Sequence, residues 1–197
     1  MAEQPLPVVS RPGRDEESSW IARIAAGDQE AFERLYKAYC PRIFRYLFAL
    51  IEDRGTAEEL TNDSLVAAWK GARHFRGQSK VSTWLFGIAR YKGLNALRSR
   101  NVRTVEIAEA GELAETKGGP EAVVRSSQLE QTVREALRLL SPDQREVVEL
   151  TFYQGLSYQE IAEIMQCPPN TVKTRMFYAR KKLEDVFKKA GIAGGGS

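Results

Sequence analysis

Residues 170–183 combine positive charge with the spacing of an amphipathic helix. They include five Lys or Arg residues and neither Asp nor Glu. Apolar residues recur at intervals of four, three and four, which predicts a buried stripe. That stripe comprises Val172, Met176, Ala179 and Leu183. The stripe left outside comprises Asn170, Lys173, Thr174, Phe177, Tyr178 and Lys181. Cations and polar groups on one helix face can bind phosphates and read base edges, so the pattern indicates DNA contact.

The residues before this helix predict how it is positioned. Ser157 and Glu160 have the spacing of a capping box, which satisfies free N–H groups at a helix start. Pro168 and Pro169 favour a break, because each disfavours helical geometry in the residue before it. We expect Asn170 to cap the helix that follows. Two short helices joined by a tight turn form a helix-turn-helix, and about 14 residues of helix span roughly 21 Å, enough to cross a major groove about 12 Å wide.

A solvated helix face is the alternative interpretation of these basic residues, since most charge runs are solvated. Two features favour DNA contact. The acids Glu160 and Glu163 lie on the preceding helix and have no counterpart on the second, so the signs are segregated. Phe177 beside Tyr178 on the polar stripe is also hard to explain by solvation alone.

A second basic segment, residues 75–100, interleaves aromatic residues with cations. Single-stranded nucleic acid needs both, because bases stack on rings while the backbone follows the charge. The aromatic members are Phe75, Trp84, Phe86 and Tyr91. Trp84 has core spacing with Leu85 and Ile88, however, so core packing is its favoured role. The polar loop of residues 76–82 is the better candidate for holding an extruded base.

Helical periodicity dominates the chain, which predicts an all-α protein with two helical domains. Helices are expected over residues 57–69 and 81–100, and apolar stripes lie on both sides of Pro41. The stripe before that proline is Phe32, Leu35, Tyr36 and Tyr39. Residues 1–17 are predicted to be a disordered tail, 101–124 a linker and 189–197 a flexible tail. The two domains are then residues 18–100 and 125–188.

Composition and charge restrict the function further. The net charge is only +3, but residues 70–103 contain nine Lys or Arg and no acid, whereas residues 105–121 contain five Glu and one Lys. Such segregation creates a positive surface that attracts polyanions. His74 is the only histidine, so Cys40 and Cys167 cannot complete a zinc site, and both are expected to be reduced.

Catalytic patterns are missing from the sequence. There is no G-x-x-x-x-G-K phosphate loop, no nucleophile with a partnered base and no metal-ligand set, so we expect neither enzymatic activity nor a cofactor. No apolar run reaches the roughly 18 residues that a bilayer crossing needs, and the N-terminus lacks the apolar core of a signal peptide. We therefore expect a cytoplasmic protein that does not insert into membranes.

Two stretches resemble conserved regions of bacterial sigma factors. The segment GTAEELTNDSLVAAWKGARHFRGQSKVSTWLFGIARYKGLNALRSR is similar to their second region. The segment LSPDQREVVELTFYQGLSYQEIAEIMQCPPNTVKTRMFYARKKL is similar to their fourth. A short linker between these two regions is the pattern of the extracytoplasmic-function (ECF) group, and the resemblance covers about residues 20–188. It implies a subunit that binds core RNA polymerase, recognises the minus-35 and minus-10 promoter elements and initiates transcription, in a stress or envelope response. A stand-alone helix-turn-helix regulator is the alternative.

The resemblance also implies roles for particular residues of the second region. The acidic helix before Trp69 would dock on the clamp helices of the polymerase largest subunit through Glu58, Glu59, Asn62 and Asp63. Ordinary solvated acids favoured by the helix dipole are the alternative. The minus-10 element would be held by a loop and the helix after it. The residues implied are Arg76, Gln78, Ser79, Lys80, Arg90, Lys92, Asn95 and Arg98.

For the fourth region, the resemblance implies that the second helix of the helix-turn-helix reads the minus-35 duplex. The reading positions would be Lys173, Thr174, Phe177 and Tyr178. The residues implied in phosphate contact are Arg175, Arg180, Lys181 and Lys182. One departure is Gln166 with Cys167 at the turn, where the family commonly has Gly. An anti-sigma factor is also expected as a partner.

Overall fold

The computed structural model describes residues 12–109, 133 and 135–190, and it divides the chain into two compact units between Gly93 and Leu94. The elements up to the linker are α1 (Arg14–Ala25), α2 (Gln29–Ile51), α3 (Arg54–Gly71), a 3-10 turn (Ala72–His74) and α4 (Val81–Glu109). Those after it are α5 (Pro142–Val148), a π-helical turn (Glu149–Tyr153), α6 (Tyr158–Met165) and α7 (Pro169–Lys189). The fold is all-α, as predicted. None of the helices in the described ranges has the length and hydropathy of a membrane span.

The first unit is built on the hairpin of α2 and α3. The carboxylates of Asp28 and Asp53 cap the two helices by accepting hydrogen bonds from Ala31 N at 3.1 Å and Thr56 N at 2.8 Å. Helix α2 runs through Pro41 without ending. Its buried face packs on α3 and comprises Ala31, Leu35, Tyr39, Ile43, Tyr46, Leu47 and Ile51.

Helix α4 crosses α2 closely because Gly93 has no side chain. A Cβ atom there would lie 2.8 Å from Leu50 Cδ2 and 3.1 Å from Leu47 Cδ2, so a larger residue would require these two leucine side chains to move. Phe86 is fully buried and packs edge-to-face on Tyr46, with ring centroids 5.5 Å apart. The prediction that groups Phe86 with the aromatic residues available for base stacking is therefore wrong.

The structure also shifts two predicted boundaries. Helix α1 begins at Arg14 and buries Glu17 and Trp20, so the disordered tail expected over residues 1–17 extends too far. Acidic residues in the first turn favour helix initiation. The proline-rich and charged composition of residues 1–17 nevertheless resembles that of a disordered tail. Helix α4 continues to Glu109, so the first part of the expected linker is helical. Residues 1–11, 110–132 and 191–197 lie outside the described residues.

A buried polar contact joins α1 to α2. The Tyr39 hydroxyl donates to the Glu17 carboxylate. Burial raises the pKa of Glu17, although the hydrogen bond from Tyr39 and the charges of Arg42 and Lys80 oppose that rise. The Arg42 guanidinium lies 4.7 Å from the Tyr39 ring centroid and 5.5 Å from that of Phe86. One cation therefore contacts aromatic rings of α2 and α4 next to this carboxylate.

Glu17→Gln should increase the stability of the first unit near neutral pH. A carboxyl whose pKa is raised in the folded state favours folding most at low pH, and this contribution is lost as the pH rises through the folded pKa. The amide still accepts a hydrogen bond from Tyr39, but it has no charge to desolvate. We expect a higher urea midpoint than wild type near neutral pH, with a difference that narrows as the pH is lowered and the Glu17 carboxyl becomes protonated.

The measurement is tryptophan fluorescence, because all three tryptophans, Trp20, Trp69 and Trp84, lie in the first unit. Tyr39→Phe is the control: it removes the hydroxyl donor and should destabilise the unit by leaving a buried carboxylate less satisfied. A Glu17→Gln midpoint at or below that of wild type near neutral pH would contradict the interpretation.

Candidate nucleic-acid interface

The second unit contains the predicted helix-turn-helix, formed by α6 and α7. At the start of α6, Ser157 Oγ accepts from Glu160 N at 3.3 Å and Ser157 N donates to Glu160 Oε2 at 2.9 Å, which is the predicted capping box. Ile161 and Met165 are buried beneath it. The cap and the apolar face together fix where α6 begins and which side it buries.

The turn closes without a glycine. Gln166 adopts the left-handed conformation, with φ 52° and ψ 47°. The amides of Gln166 and Cys167 donate to Glu163 O at 3.3 Å and Ala162 O at 3.1 Å, the paired bonds of a Schellman motif. The departure at Gln166 therefore leaves the usual hydrogen bonds in place and adds backbone strain, since a Cβ is unfavourable in this conformation.

Helix α7 begins one residue earlier than predicted. Pro169 is its first residue and Pro168 occupies the N-cap position, so the expectation that Asn170 caps the helix is wrong. Proline suits this place because its fixed φ is helical and its missing N–H would have had no partner in the first turn. Asn170 instead lies in that turn, where its carbonyl accepts from Thr174 Oγ1 at 2.9 Å.

The two faces of α7 are divided as the spacing predicted, except that Leu183, the last member of the predicted buried stripe, is half-buried. Val172, Met176 and Ala179 are buried, and α7 contacts both α5 and α6. Phe177 and Tyr178 are 63% and 52% exposed, with ring centroids 5.4 Å apart in an edge-to-face pair. The other exposed members of this stripe are Asn170, Lys173, Thr174 and Lys181. The residues expected to meet DNA thus form one accessible surface, which we call the reading face.

Three of the cations expected to bind phosphate have partners inside the unit. The Arg180 guanidinium is exposed but lies 5.9 Å from the ring centroid of Phe152. Lys182 Nζ donates to Gln144 Oε1 at 3.2 Å and to Leu139 O at 3.5 Å. Arg175 departs from the expectation: its side chain is only 26% exposed and pairs with an acid of α5.

In the first unit, the base-holding loop is shorter than predicted. Helix α4 begins at Val81, where Val81 and Ser82 are buried, so the exposed loop ends at Lys80. Gly77 has φ +67°, a conformation that L side chains rarely adopt. Of the predicted loop residues, Arg76, Gln78 and Lys80 are exposed and Ser79 is half-buried.

Helix α4 presents the remaining predicted minus-10 residues. Arg98 is exposed, whereas Arg90, Lys92 and Asn95 are half-buried. Trp84 is also half-buried, and its ring centroid lies 4.9 Å from that of Phe75, so it packs beside the loop rather than standing free. Tyr91 is 70% exposed on the same helix, which leaves it as the accessible aromatic ring of this segment.

The acidic face of α3 is exposed at all four predicted docking residues. Arg54 Nε lies 2.9 Å from Glu58 Oε1, the Tyr36 hydroxyl donates to Asn62 Oδ1 at 3.0 Å, and Lys92 Nζ lies 3.3 Å from Asp63 Oδ2. Within the described part of the chain, Glu59 is the member of this set with no such partner. Its carboxylate is therefore the one most available to another molecule.

An apolar stripe on α2, which the sequence interpretation missed, runs beside these acids. It consists of Tyr36, Cys40, Phe44 and Phe48. Tyr36 is 36% exposed and Phe48 is 45% exposed, so Tyr36, a member of the predicted apolar stripe, is not buried with the rest of it. Phe44 and Phe48 stack with centroids 6.0 Å apart, and Arg54 lies 5.7 Å from the Phe44 centroid. We call this stripe together with Glu58, Glu59, Asn62 and Asp63 the docking surface.

The sequence did contain a signal for this stripe. Apolar residues occur on α2 as adjacent pairs at 35/36, 39/40, 43/44 and 47/48. A helix that packs on one side buries a single stripe, so only the first member of each pair can face the core. The width of the apolar arc could therefore have identified a second contact surface.

Comparison with known proteins agrees with this arrangement. A family model of Sigma-70 region 2 matches residues 35–103, and one of Sigma-70 region 4 matches residues 130–183. The ECF RNA polymerase sigma-E factor of Haemophilus influenzae is 30% identical over 174 residues, covering 84% of this chain and 92% of that protein. The ECF RNA polymerase sigma factor BldN of Streptomyces coelicolor is 32% identical over 179 residues, covering 88% and 68%.

A solved structure supports the same conclusion. The sigma factor RpoE of Bartonella quintana, in complex with the anti-sigma factor NepR, superimposes with a TM-score of 0.63 at 29% identity, covering 80% of this chain and 96% of that one. The resemblance inferred from the sequence is therefore confirmed. The chain belongs to the sigma-70 family of RNA polymerase sigma factors, within its ECF group.

Proposed function

We propose that this chain brings core RNA polymerase to promoters through three separate surfaces. The reading face of α7 binds the minus-35 duplex, the loop of residues 76–80 and α4 hold the opened minus-10 strand, and the docking surface binds the polymerase clamp helices. The presence of both sigma regions, with an exposed and acid-free reading face on the second, is the observation that supports this most strongly. The chain then acts in the cytoplasm as a non-enzymatic specificity subunit.

The chemistry of the reading face suits a major groove. Lys173 can donate to the guanine acceptors O6 and N7, and the Thr174 and Phe177 side chains offer apolar contact to a thymine methyl. Arg180 and Lys181 lie further along α7, where contacts to phosphate would fix the register without reading sequence. Base discrimination is thus concentrated in the first half of the helix.

Binding energy can open the minus-10 element without nucleotide hydrolysis. Extracting a base costs a few kcal/mol, and contacts to the displaced strand must recover that amount. The loop of residues 76–80 offers Arg76, Gln78 and Lys80, and α4 adds Arg98 with the exposed ring of Tyr91. Cations for the backbone and a ring for stacking are the two components that single-strand binding requires.

The docking surface has the composition of a protein interface. Stacked apolar residues, Phe44 and Phe48, can supply the anchor, and the acids of α3 form a charged margin beside them. A partner helix with an apolar stripe and basic flanks would complement both parts. Because RpoE is bound by an anti-sigma factor in its solved complex, we propose that an anti-sigma factor also binds this chain and keeps it from core polymerase.

Run-off transcription tests the proposal. Core polymerase with the full chain should initiate at promoters selected from a random library by the reconstituted holoenzyme, and core polymerase alone should not. A stand-alone regulator would instead bind a two-fold site as a dimer and would leave core polymerase unchanged. Failure to obtain any promoter-dependent transcript, together with dimeric binding to a palindrome, would establish that alternative.

Lys173→Ala combined with Thr174→Ala should change base preference at the minus-35 element, by about 1–3 kcal/mol of discrimination. Arg180→Ala should weaken all sequences alike and lower the slope of log K against log salt by about 0.9. Binding of the variants to a panel of single-base substitutions at several salt concentrations measures both effects. If the double variant lost affinity equally for every single-base substitution, Lys173 and Thr174 would not read the base sequence.

Glu59→Arg should weaken binding to core polymerase at least about tenfold, because a like charge would then face a basic partner. Phe48→Ala should weaken it through loss of the apolar anchor. Glu30→Arg is the control, since Glu30 is an exposed acid of the same unit that lies about 120° around α2 from Tyr36.

Binding is measured by titration of labelled chain with core polymerase, after the tryptophan fluorescence of each variant has established that the first unit is folded. Affinity equal to wild type for Glu59→Arg and Phe48→Ala would place the polymerase contact elsewhere on the chain.

A further inference from the structure

We propose that Arg175 is a positioning residue that sets the angle of the recognition helix α7, rather than one of its phosphate contacts. This inference rests on the proposed function, in which α7 reads the minus-35 duplex. Arg175 follows Lys173 and Thr174 directly in sequence, but its side chain turns towards the body of the unit and is only 26% exposed. It occupies a place where cations usually meet DNA, yet it faces protein.

The guanidinium joins three elements of the second unit: α7, the turn before it and α5. Its Nη2 pairs with Asp143 Oδ2, in the first turn of α5. Its Nη1 donates to Cys167 Sγ in the turn at 3.7 Å. The planar fork of an arginine can hold two partners in fixed directions, whereas an ammonium cannot reproduce that geometry. One side chain thereby fixes α7 relative to both the turn and α5.

The turn needs such support because its conformation is unfavourable for its sequence. Gln166 takes the left-handed conformation that glycine usually supplies at this place, and the strain must be balanced by contacts around it. The bond from Arg175 reaches the very next residue, Cys167. Loss of Arg175 would therefore relax the turn and the start of α7 together.

A second contact shows that α7 is held against the same part of α5. Lys182, two helical turns after Arg175, donates to Gln144 Oε1 at 3.2 Å, and Gln144 is the neighbour of Asp143. Met176, which lies between these two attachments in the sequence, is buried. Rotation of α7 about its axis would break both polar contacts, so they hold the reading face in one orientation.

Asp143→Asn tests the proposal, because the two possible roles of Arg175 predict different changes in affinity for DNA. If Arg175 bound phosphate, removing its acidic partner would free a cation and delete a negative charge, so affinity for minus-35 DNA would rise or stay the same. If Arg175 positions α7, affinity for the preferred sequence should fall about 2- to 5-fold, the range of a half-exposed ion pair, and discrimination between bases should narrow. An affinity that rises or stays the same overturns the proposal.

The salt dependence of DNA affinity is an independent measurement, because removing a residue that does not contact phosphate leaves the salt slope unchanged. Arg175→Ala should reduce affinity without changing the slope of log K against log salt, whereas Arg180→Ala should lower that slope by about 0.9. An equal fall of the slope for both variants overturns the proposal. The charge exchange of Asp143→Arg with Arg175→Asp should recover part of the lost affinity, and no recovery in a folded protein counts against it.

Folding is followed by far-ultraviolet circular dichroism of the full chain. If Arg175→Ala unfolds the second unit, Arg175→Lys and Asp143→Asn decide the question, since Lys keeps the charge but cannot hold both partners. The proposed function fails separately: if Lys173→Ala with Thr174→Ala and Arg180→Ala also leave DNA binding unchanged, α7 does not read DNA at all.

Discussion

Burial of one stripe of α7 is the constraint on which the rest of the second unit depends. Val172, Met176 and Ala179 pack against α5 and α6, and a helix so fixed can expose only the opposite side. The exposed aromatic pair and the cations of the reading face owe their accessibility to this packing, not to their own polarity. Burying the side chains of Val172 and Met176 contributes on the order of 1.5–3 kcal/mol each, more than an exposed polar contact on this helix.

In the first unit, helix α2 leaves part of its apolar surface exposed instead of burying all of it. Helix α2 fills a core on one side and carries apolar residues, including the exposed Phe48, on the side that forms the proposed docking surface. Leu35, Tyr39 and Leu47 are fully buried, while Phe48 remains half exposed one residue further on. An apolar arc of this width is a liability in a protein that stays alone, and it becomes useful where a partner covers it.

The sequence predicted the helices and the division of α7 into two faces, because helical spacing follows directly from backbone geometry. The sequence did not predict the environment of a side chain where that environment depends on which residue, distant in the sequence, packs against it. Nothing in the sequence around Arg175 shows that it pairs with Asp143, and nothing around Phe86 and Tyr91 shows which of the two is buried. The predicted boundaries near Arg14 and Glu109 were wrong for another reason, because charged helices have a composition similar to that of loops.

The ion pair between Lys92 and Asp63 has a consequence for the order of assembly. The two groups lie 3.3 Å apart, one expected to hold the displaced strand and the other to meet polymerase. A basic partner that engaged Asp63 would release Lys92 from its acid and make it a better ligand for DNA. By thermodynamic reciprocity, strand binding would then favour polymerase binding by the same factor. For a partly exposed pair this factor is at most about fivefold, a modest cooperativity by which promoter opening and subunit retention would support each other.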